Sequence, residues 1–204
     1  MILDLDELNP AQTYFQMIQT LIPRPIAWVL SENAGGSYNL APFSYFTAVC
    51  AEPPLVMISL GHKPDGSLKD TRVNIEQRGD FVIHIAHREM LEAMNASSAT
   101  LAAGVSEVDQ LGLETTAFAG SRLPRLADAR VAYACERYEI REIGPGKQSL
   151  IFGLVTHIYL DDAIVDISPE GRIKVDAGKL DPIARLGASE YAMLSEVVSL
   201  KRPA

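Results

Sequence analysis

Short apolar runs punctuated by turn residues dominate this chain. Ile26–Leu30 and Leu55–Leu60 are continuous apolar stretches, the pattern of buried strands. The first leads through a hairpin turn, Asn33-Ala34-Gly35-Gly36, into a strand over Tyr38–Ala41; the second follows Pro53-Pro54 and ends at Gly61. Phe81–Ala86 completes the strands of the first half. Val131–Ile140 alternates Val131, Tyr133 and Cys135 against Ala132, Ala134 and Glu136, which predicts a half-buried strand. Gln148–Leu160 is a long apolar-rich run with Gly153 inside it, where a bulge or the close approach of another backbone is expected. Glu170-Gly171 marks a hairpin turn before Arg172–Val175.

Helical pattern is sparser. Residues 9–18 have Asn9 to cap, Pro10 for the first turn, and Tyr14, Met17 and Ile18 as an apolar face. Pro23 and Pro25 then hold the backbone extended around Arg24. A helix over about 71–78, closed by Gly79, has two possible starts. Ser67 with Asp70 matches a capping box, or Asp70 and Thr71 are themselves the cap. Arg88–Met94 puts Met90, Leu91 and Met94 on one side, and Ser106 begins another short helical stretch. Ile183–Val198, after Asp181-Pro182, is mostly helix-compatible with Gly187 interrupting it. Six or seven short strands, few helices and no Gly-x-Gly-x-x-Gly predict a mainly β, closed barrel and not a Rossmann sheet. There is no internal repeat and no linker-like stretch, so 1–204 reads as one domain.

Composition narrows the function. The chain is 48% apolar and 22% charged, with 18 basic against 26 acidic side chains and a net charge of −8. The absence of a basic stripe argues against nucleic acid and anionic membrane surfaces. The acidic start, MILDLDELN, is unlike a signal peptide, and no apolar run reaches membrane-spanning length, so a cytoplasmic location is expected. Cys50 and Cys135 fit no metal or redox spacing and read as small buried residues, with a place near a ligand as the second reading for Cys50. His62, His84, His87 and His157 form no metal-ligand pattern.

Gly-x-Ser-x-Gly, a P-loop and His-Glu-x-x-His are all absent, so no nucleophile–base motif suggests itself. Tyr38–Thr71 carries the candidate chemistry. Asn39–Ser44 mixes small residues with Pro42 and Phe43, which leaves its backbone open to a flat ligand. The apolar run then ends at Gly61, and a polar loop leads to Lys69-Asp70-Thr71 at a helix start. The unpaired N–H groups and positive dipole end of such a start suit a phosphate.

The fragments PRPIAWV (23–29), NLAPFSYF (39–46), EPPLVMISLG (52–61), PDGSLKDTRVNIE (64–76) and GDFVIHI (79–85) follow one another as in the flavin reductase-like, FMN-binding split-barrel proteins. The closing PIARLGASEYAML (182–194) also resembles that family. The resemblance implies a split β-barrel of Greek-key type with a few peripheral helices, holding FMN. On this reading Asn39, Leu40, Ala41, Pro42, Phe43 and Ser44 meet the ring edge. Ser59, Gly61, Lys69 and Thr71 are suited to the phosphate, while Asp70 caps the helix or orients Lys69. Asn95 lies in a segment, 88–115, that is either near the flavin or partner subunit or a plain surface excursion. Arg24 is either a surface charge or aimed at the mouth of the site. Arg185 and Tyr191 cover the ring, donate to it, or serve packing or a dimer contact.

The implied activity is that of an NAD(P)H-dependent FMN reductase, which passes hydride to flavin N5 and supplies reduced flavin to a partner monooxygenase. The alternative is an electron-carrier module like flavoredoxin, without its own reductase activity. A homodimer is implied in either case. No acidic residue marks a ribose 2′-hydroxyl, so NADH and NADPH both stay open.

Overall fold

The computed structural model describes residues 1–203. Its strands are β1 Arg24–Pro25, β2 Ala27–Glu32, β3 Tyr38–Phe43, β4 Phe46–Ala51, β5 Pro54–Leu60, β6 Asp80–His84, β7 Thr115–Thr116, β8 Arg125–Leu126, β9 Val131–Ile143, β10 Gln148–Leu160, β11 Val165–Ile167, β12 Ile173–Val175, β13 Ala184–Arg185 and β14 Tyr191–Ala192. The α-helices are α1 Pro10–Thr20, α2 Asp70–Arg78, α3 Leu91–Ala96, α4 Glu107–Gln110 and α5 Ala177–Leu180. Among the described residues, no helix is long and apolar enough to cross a membrane.

Seven strands form one antiparallel sheet in the order β3-β2-β6-β9-β10-β5-β4. Its two edges, β3 and β4, are joined by only Ser44 and Tyr45, so the sheet rolls until its edges meet at that corner. The result is a mainly β, split barrel. β3 and β4 share no ladder, and the chemistry of β3 accounts for the gap. Pro42 has no N–H to give, and the Leu40 N–H goes to the Glu107 carboxylate at 2.9 Å.

Central strands are buried on both faces, which is why β2 reads as a continuous apolar run. Trp28 and Leu30 pack outward with Leu40, Val82 and Met94, while Ala27 and Val29 pack inward with Ile58, Phe81 and Ile151. The same burial corrects the expectation for β9. Val131, Ala132, Ala134 and Cys135 are all buried, and exposure begins only at Glu136. Ala132 and Ala134 are small enough for the outer layer to close over them, so alternation does not show there. Gly153 sits at a register shift between β9 and β10 and directly against the Phe81 ring, which a Cβ would strike.

Residues 183–198 contain no helix. Helical signal is used one turn earlier, in α5, capped by Asp176 and ended by Asp181 in a left-handed conformation, φ 46°. The chain then pairs β13 with β1, Arg185 opposite Arg24, and turns through Gly187–Glu190 into β14. Cys135 is buried, and that burial pushes its thiol pKa up. Cys50 is instead exposed on the edge strand β4, its thiol on the Pro53 carbonyl. His84 is wholly buried, its Nδ1 on the Trp28 carbonyl and its Nε2 accepting the Leu126 N–H, and burial lowers its pKa to about 4.

Candidate functional site

The gap beside β3 opens into a groove of three adjoining lobes that share Pro42. Leu40 directs its N–H out of the sheet towards Glu107. Two-residue alternation therefore turns the Leu40 and Pro42 carbonyls to the same open edge. They are acceptors beside a flat apolar surface of Ala41, Pro42 and Phe43.

The first lobe brings Asn39, Ala41, Pro42 and Phe43 together with Lys69, Asp70 and Thr71. Lys69 is the N-cap residue of α2, and no side chain caps that end. Neither expected capping scheme forms. Asp65 takes Ser67, which leaves it no reach to the helix, and Asp70 accepts from Lys63 at 2.9 Å. Asp70 therefore orients Lys63, not Lys69. Lys69 lies with its ammonium 6.0 Å from the Phe43 ring centroid. The Thr71 hydroxyl is almost enclosed, at 1% residue exposure, and accepts from the Asn39 amide at 2.9 Å. Uncapped backbone donors beside a cation fit an anionic group, and the flat strand next to them fits a planar ring.

The second lobe is walled by Arg24, Ser44, Asn95, Arg185 and Tyr191. The Tyr191 hydroxyl donates to Asn95 at 2.9 Å, and the Arg185 guanidinium lies 4.5 Å over the Tyr191 ring. Arg24 is not the surface charge of the first reading; it stands in the wall of the lobe, with its guanidinium tied to the protein. It is 5% exposed and donates to the carbonyls of Ile18, Leu21 and Leu186 and to Ser44. Those bonds tie α1, β1 and the closing segment into one wall.

The third lobe holds Ser59 and Gly61 with Tyr14, Tyr45, His62 and Gln148. The residues expected at the phosphate are thus divided between two lobes, with Lys69 common to both. Leu40 contributes backbone only, because its side chain is fully buried among the core residues.

Several groove residues carried no signal that sequence reasoning used. Lys63 sits in what reads as a loop, Glu107 in what reads as a surface helix, and Ser97–Leu101 in a polar connection. The short helical stretch begun by Ser106 was visible, but its docking onto β3 was not. Cys50 and Arg72 do not line the groove; Arg72 pairs with Glu76 at 2.7 Å along α2.

A family model described as a flavin reductase like domain matches residues 19–168. An uncharacterized protein of Halalkalibacterium halodurans is 38% identical over 98% of this chain and 96% of its own. Component B of nitrilotriacetate monooxygenase from Bacillus cereus superposes with a TM-score of 0.88 at 29% identity, covering 98% of each chain. The 2-nitrobenzoate 2-nitroreductase of Pseudomonas fluorescens gives a TM-score of 0.89, also at 29% identity, over 100% of this chain and 96% of that one.

Proposed function

This chain belongs to the flavin reductase-like family, and from that premise we propose that it is an FMN-dependent oxidoreductase that takes hydride from NADH or NADPH. One observation carries the reading: a single lobe joins the open strand Asn39–Phe43 to the uncapped start of α2 at Lys69. FMN would supply the hydride and electron chemistry when bound, and the chain's part is to hold and orient it. The Leu40 and Pro42 carbonyls would meet donors on the ring edge, with Ala41, Pro42 and Phe43 beneath. Lys69 and the first N–H groups of α2 would take the phosphate. Arg185, Tyr191 and Asn95 would close the far wall.

Purified protein should be yellow, and NADH or NADPH should bleach the flavin absorbance within a stopped-flow experiment. Reduction by dithionite alone would instead establish an electron carrier. The Bacillus cereus neighbour is one component of a monooxygenase, which supports delivery of reduced flavin to a partner oxygenase. The aromatic third lobe, with Tyr14, Phe43 and Tyr45, favours a second reading, reduction of a small aromatic substrate as in the Pseudomonas fluorescens neighbour. Reoxidation by 2-nitrobenzoate that outpaces reoxidation by free FMN would select it.

We also take the chain to be one domain, 1–204, acting in the cytoplasm as a homodimer; cell fractionation checks the location. None of α1 is buried, and Phe15, Met17, Leu21 and Ile22 lie exposed beside Tyr14 at the groove. A two-fold pairing would cover that apolar strip. Light scattering at micromolar protein should give twice the chain mass; a monomer with flavin still bound would refute the dimer.

A further inference from the structure

Glu107 is a buried carboxylate whose neighbours satisfy only part of it. Its segment is fastened to the open edge of β3 at two points. Ser106 donates to the Tyr38 carbonyl at 2.7 Å, and Glu107 Oε2 accepts the Leu40 N–H at 2.9 Å. The residue is 6% exposed, and it lines the first lobe with Asn39, Pro42, Lys69 and Thr71. A carboxylate offers about four lone-pair positions; the Leu40 N–H fills one, and the backbone N–H of Glu107 itself also favours the charged form. Lys63, the cation whose field favours its charged form, makes its ion pair with Asp70. Burial, with the Asp70 charge adding to it, raises the Glu107 pKa. The acceptor positions that remain are open, in the lining of the lobe, to donors from whatever fills it.

The chemistry of the donor can be narrowed. A phosphate dianion offers no proton and would be repelled by Glu107. A flavin ring offers its donors at one edge, which the open carbonyls of β3 already suit. Between ring and phosphate FMN carries a hydroxylated chain. The first lobe holds both the strand face and the helix start, so that chain must cross it.

We propose that Glu107 accepts hydrogen bonds from the ribityl hydroxyls and so selects flavins that carry the polyol over those that carry the ring alone. This assignment rests on the reading of the groove as an FMN site. The test is calorimetric titration of the wild type and Glu107→Gln with FMN, riboflavin and lumiflavin, which has the ring without the polyol. Glutamine keeps an acceptor for the Leu40 N–H but loses the charge. FMN and riboflavin should each weaken about 10-fold, and lumiflavin should bind unchanged. Glu107→Asp, which withdraws the carboxylate from the lobe, should show the same selective loss.

Equal weakening of all three flavins would mean that Glu107 acts only by shaping β3, and overturns the assignment. No weakening of any flavin overturns it as well. If the wild type binds none of the three, the FMN reading falls with it. Binding that ignores the substitution removes the Glu107 assignment alone.

Discussion

Lys69→Met is expected to weaken FMN by about 10- to 100-fold and to leave riboflavin nearly untouched. The magnitude is that of a charge-assisted hydrogen bond to an anion, roughly 1.5–3 kcal/mol. Lys63 stands in the same lobe but is committed to Asp70. Lys69 forms no ion pair among the described residues, and it stands at the uncapped end of α2. In a chain of net charge −8, a phosphate needs such a local cation. Riboflavin carries the same ring and polyol without the phosphate, so it isolates the term. Thr71→Val should act in the same sense more mildly, because the Thr71 hydroxyl already accepts from Asn39 and has only its proton to offer. Fluorescence titration of both flavins on both variants is the measurement. Equal losses for the two flavins would show that the helix start had been damaged, and no loss would place the phosphate elsewhere.

Much of this arrangement was legible in the residues because the informative signals are local. Asn9 with Gln12 forms a reciprocal cap, each side chain 3.0 Å from the other's N–H. Gly79 ends α2 with a positive φ that only glycine adopts without strain. β10 spans the whole of the apolar-rich run, and Gly153 lies where a backbone shift and an aromatic ring need it. What failed depended on partners distant in sequence. Asp70 is a sound cap by spacing, yet Lys63 seven residues earlier takes it. Residues 183–198 have helical composition, yet the Arg24–Arg185 pairing makes a short strand there. Glu107 had no local mark at all, since its value comes from Leu40, sixty-seven positions away.

Arg24→Met should be the most destabilising substitution at the groove. Its guanidinium supplies hydrogen bonds to the Ile18 carbonyl at 2.5 Å, Leu21 at 2.7 Å and Leu186 at 2.9 Å, with Ser44 at 3.3 Å. Methionine fills similar volume but leaves three part-buried carbonyls without the guanidinium, and charge-assisted bonds of this kind are each worth more than neutral ones. A total of about 3 kcal/mol lowers the melting midpoint of a chain this size by roughly 6–12 °C. The loss should centre on α1 and the closing segment, because those are the elements the side chain joins. Arg185 gives the contrast: it lies over Tyr191 and donates to the Ala188 carbonyl on an exposed turn. Arg185→Gln should melt within about 2 °C of the wild type while making bound flavin harder to reduce, since it removes a cation from the groove wall without stranding buried acceptors. Thermal melts of flavin-free protein and redox titration of the loaded variants separate the two arginines. A wild-type midpoint for Arg24→Met would show that α1 and the closing segment hold together without it, and an unchanged potential in Arg185→Gln would remove that residue from the flavin's surroundings.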